Sequence, residues 1–392
     1  MDRIKEYCGR VNWQEVGIIA FYGYFSINIL MKAFTYDHGD FIYKYFFAFA
    51  MTFLGIKIVT TKYTLREVAW IALLIGLGLA LSVITKQNTW LLLFLTILGM
   101  KNCSFPVLIH LGVYIRVLSL AILVIGSTFG AFDIGFKTTP DTKYVEIPVY
   151  SFAMNEPNTA YLAVFLTLML LLYDNYEKLN VKWFLGTSAV ALLFYELTFC
   201  RTGIAVFFFA WMLIVFDKTV KSHRMKLILA LSVPVGAVFS LLTMVLYNGS
   251  NPLLHLINHF VSGRIYIMNS YYIDQGIALF PRTQEIFYAS YHGLIDNTYM
   301  FVLLYCGVFV ALFFFALVSW TLFRLYRGRH YKELVFIAAM ALYGVLEQYV
   351  MNGFMNPFIL LCGGLLFPGL LENRGMELTA EKAKRAENRE AV

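Results

Sequence analysis

The sequence predicts an all-α polytopic integral membrane protein with about twelve transmembrane helices and one large extracytoplasmic loop. Three observations carry this reading. The first is composition: 60% of residues are hydrophobic, 17% aromatic and only 14% charged, and mean hydropathy is +0.68. A soluble domain needs far more charged surface. The second is a series of apolar runs near 16–35, 41–60, 67–85, 89–100, 104–132, 157–173, 183–199, 203–216, 227–247, 297–323, 333–352 and 355–371. Most can cross roughly 30 Å of hydrocarbon; the fourth is short, and the fifth and tenth are long. In lipid each backbone polar group must be bonded internally, so these runs predict helices. The third is the distribution of Lys and Arg between the runs.

With the N-terminus in the cytoplasm, that side receives Lys57, Lys62 and Arg66, then Lys101, Lys178 and Lys182, the cluster Lys218, Lys221, Arg224 and Lys226, and the cluster Arg324, Arg327, Arg329 and Lys332. The outer side receives few basic residues, as the positive-inside rule requires. Nine runs precede the interval 247–297, which places the loop 248–296 outside. Residues 1–371 then form one transmembrane domain, and the charged tail 372–392 a cytoplasmic appendage. No secretory cleavage site follows the first apolar run, so that run is expected to remain as a span.

Several function classes drop out. The net charge of +7 is spread over short loops, which gives no nucleic-acid footprint. The five cysteines show no paired spacing, so neither a disulfide framework nor a metal site is expected. His255 and His259 stand four residues apart, but no third metal ligand is evident. No P-loop, dinucleotide glycine motif or internal repeat is present.

Candidate site residues gather at the outer ends of the runs, where ionisable groups near lipid are costly and therefore informative. Arg201, in Phe199-Cys200-Arg201-Thr202-Gly203, sits in a tight turn between two spans. Its planar fork suits a pyrophosphate, against the alternative of an interfacial arginine reaching headgroups. Arg264 follows Gly263 and opens an apolar–aromatic pattern that predicts an interfacial helix. Arg282, after Pro281, is a further candidate of the same kind. His292 stands where the loop re-enters the membrane and has the chemistry of a general base near neutral pH. Asp296 is four residues on; in a first helical turn it would share a face with His292 and orient the ring, while Asp296-Asn297 also reads as a helix N-cap. Glu156 and Asn158 flank Pro157 at the start of the sixth run, where a sugar or phosphate could reach them, although capping alone explains Asn155 or Asn158. Arg116 lies about 18 Å along the fifth helix and must either pair, with Glu196 or Glu347 as candidate partners, or line a wet cavity and contact substrate. Tyr266, Tyr271, Tyr272, Tyr288 and Tyr291 give the loop flat amphipathic faces that suit sugar rings or headgroups.

The RTG turn opening a span, the large outer loop with its Gly263-Arg264 pair, and His292, Asp296, Asn297 and Tyr299 leading to Cys306-Gly307 together resemble the Wzy-type polysaccharide repeat-unit polymerases, which are related to the O-antigen ligases. The resemblance covers 155–353 most closely. It implies a GT-C-like fold and metal-independent glycosyl transfer at the outer face of a bacterial cytoplasmic membrane, with both termini in the cytoplasm. An undecaprenyl-pyrophosphate-linked oligosaccharide would be the donor, a second one the acceptor, and a chain-length regulator a possible partner; no cofactor is implied. By position Arg201 and Arg264 match the pyrophosphate-binding arginines of that pattern, and His292 the basic residue near the acceptor. The sequence has cysteine before Arg201 where many relatives have serine. A ligase is the alternative within the same class, and a lipid-linked polysaccharide flippase or exporter the alternative from another.

Overall fold

The structure, a computed structural model, describes residues 12–36, 40–140, 146–289, 292–367 and 370. The chain is mostly helical. Helices α1 (Trp13–Ala33), α2 (Phe41–Thr60), α3 (Leu65–Thr85), α4 (Thr89–Gly99) and α5 (Phe105–Thr128) come first. A small antiparallel hairpin follows, β1 (Phe136–Pro140) with β2 (Glu146–Tyr150). Then come α6 (Pro157–Asp174), α7 (Val181–Thr198), α8 (Arg201–Thr219), α9 (Ser232–Leu246), the loop helices α10 (Pro252–Phe260) and α11 (Arg264–Gln275), α12 (Thr298–Arg327) and α13 (Tyr331–Leu346). The hairpin amends the all-helical expectation. It arises in 133–156, where Ser151 and Phe152 return backbone bonds to Ile134 and close the loop on itself.

Local chemistry sets the helix ends. Thr64 and Glu67 form a reciprocal capping box at the start of α3. Pro157 stands at the start of α6, where its missing N–H costs nothing. The Asn180, Asn251 and Asn297 side chains accept the first free N–H groups of α7, α10 and α12.

Seven described helices are long and apolar enough to cross a membrane: α1, α2, α3, α5, α6, α8 and α12. The protein is therefore a multi-pass membrane protein. The fourth predicted run gives the 11-residue α4, which rises only about 16 Å. The ninth gives a short turn, Leu227–Ala230, followed by the 15-residue α9. The last becomes the compact helical segment Pro357–Leu366. The charged tail lies outside the described residues.

Helix α13 forms the centre. Leu334 through Ala341 are all buried, so it is apolar all round, as a helix enclosed by other helices must be. Helices α8, α9 and α12 pack around it. At the periphery, α2 and α3 are mostly exposed and apolar, which makes them lipid-facing.

Helix α12 is interrupted. A wide turn over Val302–Cys306 leads to Gly307, whose φ is +83°. The loop 276–282 lies in this break. Val308 N–H donates to the Ala278 carbonyl at 2.9 Å, and Arg282 N–H to the Tyr305 carbonyl at 2.9 Å. A Cβ at Gly307 would stand 2.7 Å from the Phe280 carbonyl, so the approach and the backbone angle both require glycine.

Candidate functional site

Arg264 is the first residue of α11, entered through Gly263 at φ +82°. Its side chain is buried and meets two carboxylates. Nη2 donates to Glu347 Oε1 at 2.8 Å and lies 3.5 Å from Asp296 Oδ2. Nη1 is buried without a hydrogen-bond partner. Burial pulls the guanidinium pKa down, but Glu347 and Asp296 outweigh it and hold it above the usual value. Burial pushes the Asp296 carboxyl up, against the pull of Arg264.

Glu347 caps the C-terminal end of α13; its N–H donates to the Tyr343 carbonyl, and its own carbonyl accepts from Thr298 Oγ1 at 2.6 Å. Asn297 ties the same corner together. Its Nδ2 donates to Ser240 Oγ at 2.9 Å and to the Val345 carbonyl at 2.8 Å, while its Oδ1 caps Met300. The middle of α9 and the ends of α11, α12 and α13 thus converge on one buried charge cluster.

The Arg201 turn reaches this corner. Phe199, at φ +54°, ends α7, and Arg201 begins α8 with its guanidinium over the Phe199 ring, 4.9 Å from the centroid. Cys200 lies within electrostatic range of both Glu347 and Arg264. A Cβ at Gly203 would collide with the Tyr161 ring, so this glycine permits α6 and α8 to close; the Tyr161 hydroxyl is buried there without a partner.

His292 is placed differently from expectation. Residues 292–297 are not helical, Gly293 has φ +118°, and α12 starts only after Asn297. Asp296 therefore does not share a helical face with His292; it turns to Arg264. Asp274 orients the ring instead, accepting a hydrogen bond from His292 Nε2–H, and Tyr271 stands edge-on to it at 5.3 Å. Asp274 is ten residues beyond Arg264, about 15 Å along α11. The strand of chain 292–296 runs back along this helix, with the Gly293 carbonyl accepting from Tyr271 OH at 3.1 Å. Arg264 and His292 hence mark two ends of one wall, not a single contact.

The remaining candidates divide. Arg282 spends its donors on backbone: Nη1 to the Leu304 carbonyl at 2.9 Å, Nη2 to the carbonyls of Gln275 at 2.6 Å and Gly276 at 3.1 Å. It clamps the end of α11 to the break in α12. Arg116 is paired with neither expected carboxylate. Glu347 is taken by Arg264, Glu196 is exposed, and Arg116 Nη2 donates to the Phe354 carbonyl at 2.8 Å, with Nε unpartnered. The physical reason is the compact chain at 349–362, whose short turns leave carbonyls free to accept. Glu156 is exposed in an ion pair with Lys137 at 2.7 Å, and Asn158 is exposed in the first turn of α6. His255 and His259 stand one turn apart on α10.

Sequence reasoning missed Glu347 as the partner of Arg264 and Asp274 as the partner of His292. A carboxylate ending an apolar run was a usable signal for the first; its direction was not. No family model, curated protein or solved structure matches the chain.

Proposed function

We propose that the protein is a metal-independent membrane glycosyltransferase that polymerises undecaprenyl-pyrophosphate-linked oligosaccharide repeat units at the outer face of a bacterial cytoplasmic membrane. The observation that carries this reading is Arg264: a buried guanidinium with an unsatisfied Nη1, at the corner reached by the Arg201 turn and covered by the large loop. In this reading the two arginines stabilise the charge that develops on a departing lipid pyrophosphate. His292, held in one tautomer by Asp274, takes the acceptor proton at Nδ1. Asp296, Asn297, Glu156, Asn158, Arg116 and Arg282 support the substrate wall or its scaffold. In this reading the seven long apolar helices, with α7, α13 and the three shorter apolar helices packed among them, make a GT-C-like bundle with the Arg264 end outermost.

A second feature supports a lipid-linked substrate. An apolar cavity of about 550 Å³ lies between α8, α9 and α13, lined by Phe209, Met212, Phe239 and Leu342 among others. Its wall reaches Val345, whose carbonyl Asn297 holds beside Glu347. An isoprenoid stem there would end near Arg264.

The test is a deletion strain and its lipid-linked glycans. Single repeat units accumulating on lipid, with no long chains, are expected. Absence of glycan from the outer face would identify a flippase instead, and long unattached chains a ligase.

A further inference from the structure

The two carboxylates around Arg264 are not equivalent. Glu347 is fixed: its side chain is buried, it caps α13, and Thr298 holds its carbonyl. Asp296 is 3.5 Å from Nη2 against 2.8 Å for Glu347, and its side chain is 29% exposed against 9%. It stands on an irregular stretch that follows Gly293. Arg264 alone faces two carboxylates, one more than it can neutralise when both are ionised, although one of its nitrogens has no acceptor. That is a poor arrangement for an isolated structural pair, and a poor one for holding an anion as it stands.

Resting on the diphosphate reading above, we propose that Asp296 is a built-in stand-in for the anionic ligand: it covers the Arg264 guanidinium at rest, and a diphosphate displaces it to reach Nη2 and Nη1 while Glu347 keeps the arginine in place. The exchange is of contacts only. One carboxylate oxygen leaves the guanidinium, phosphoryl oxygens replace it, and Asp296 moves to its solvent-exposed side. Diphosphate affinity is thereby set by competition with the chain's own carboxylate. Weakly held anions that cannot use both nitrogens are rejected, since they do not recover the contact that Asp296 loses.

The test uses the full-length protein purified in detergent, titrated with farnesyl diphosphate and followed by thermal shift. Asp296→Asn removes the competitor's charge and should tighten binding about tenfold, since one unit charge at this separation is worth slightly less than that factor at the dielectric of water and more in a partly buried site. Asp296→Glu lengthens the competitor and should weaken binding. Glu347→Gln loosens the arginine and should also weaken it, which separates the two carboxylates. Equal or weaker binding by Asp296→Asn, with the wild type binding normally, overturns this proposal and leaves the diphosphate site standing. No binding by either protein overturns both.

Discussion

A second buried ion pair stands at the opposite end of the helices that carry Arg264. Asp217 is sixteen residues from Arg201 on α8, and Tyr331 sixteen from Glu347 along α13, about 24 Å in each case. There Lys226 Nζ lies 2.5 Å from Asp217 Oδ1 and 3.9 Å from the centroid of the Tyr331 ring. Tyr176 OH donates to the other Asp217 oxygen. One cation meets one carboxylate, and both carboxylate oxygens are used. Arg264 faces two carboxylates and keeps an idle donor, and Arg201 stands on the adjoining turn. The Lys226–Asp217 and Arg264–Glu347 pairs are similarly buried, so burial alone does not separate them. In the proposed reading stoichiometry does: the matched cluster has nothing left to offer, and the mismatched one keeps capacity for a ligand.

The largest expected effect comes from breaking either pair. Arg264→Ala and Lys226→Ala should each destabilise by about 3–5 kcal/mol, because each leaves a buried carboxylate uncompensated. They should differ in activity: Arg264→Ala abolishes chain extension, and the folded fraction of Lys226→Ala retains it. Apolar double replacements sharpen the contrast. Lys226→Met with Asp217→Leu should recover both stability and extension, and Arg264→Met with Glu347→Leu stability alone. Thermal melting in detergent and polysaccharide ladders read both quantities; identical behaviour of the two pairs would sink the comparison.

His292→Ala should slow extension about 100-fold, the scale of a lost general base, with little change in melting, since the ring is partly exposed. A wild-type rate would remove His292 from the chemistry. Arg282→Met should cost about 1.5–3 kcal/mol through its three lost carbonyl bonds; an unchanged melting temperature would show that the loop docks without it. The smallest effect belongs to Lys137→Ala. Its exposed pair with Glu156 should be worth under about 1 kcal/mol, and extension should be unaffected.

Much of the scaffold was legible because lipid imposes length and polarity on each span separately. Helices α1, α2, α3, α5, α6 and α8 fall where apolar runs stand. Capping chemistry located Pro157 and Asn297 for the same local reason. The break in α12 was not legible. An apolar run reads alike whether its backbone is continuous or interrupted, and Gly307 gains its meaning only from Phe280. The corner around Arg264 was legible as charged residues at the ends of apolar runs and not as pairs. Arg264 and Glu347 are separated by 83 residues, and nothing local to either one specifies the other. The helical spacing that joined Asp296 to His292 failed because Gly293 and the cap at Asn297 keep the helix from starting there.

The chain distances in these contacts have a consequence for synthesis. Arg264 leaves the ribosome 83 residues ahead of Glu347, and Arg116 precedes the Phe354 carbonyl by 238. During insertion both guanidiniums must wait in water or at the headgroup layer, since neither can be abandoned in hydrocarbon. The corner around Arg264 is thus among the last parts of the molecule to close. An insertion machine that holds early spans loosely until α13 arrives would suit this sequence better than one that releases each helix to lipid in turn.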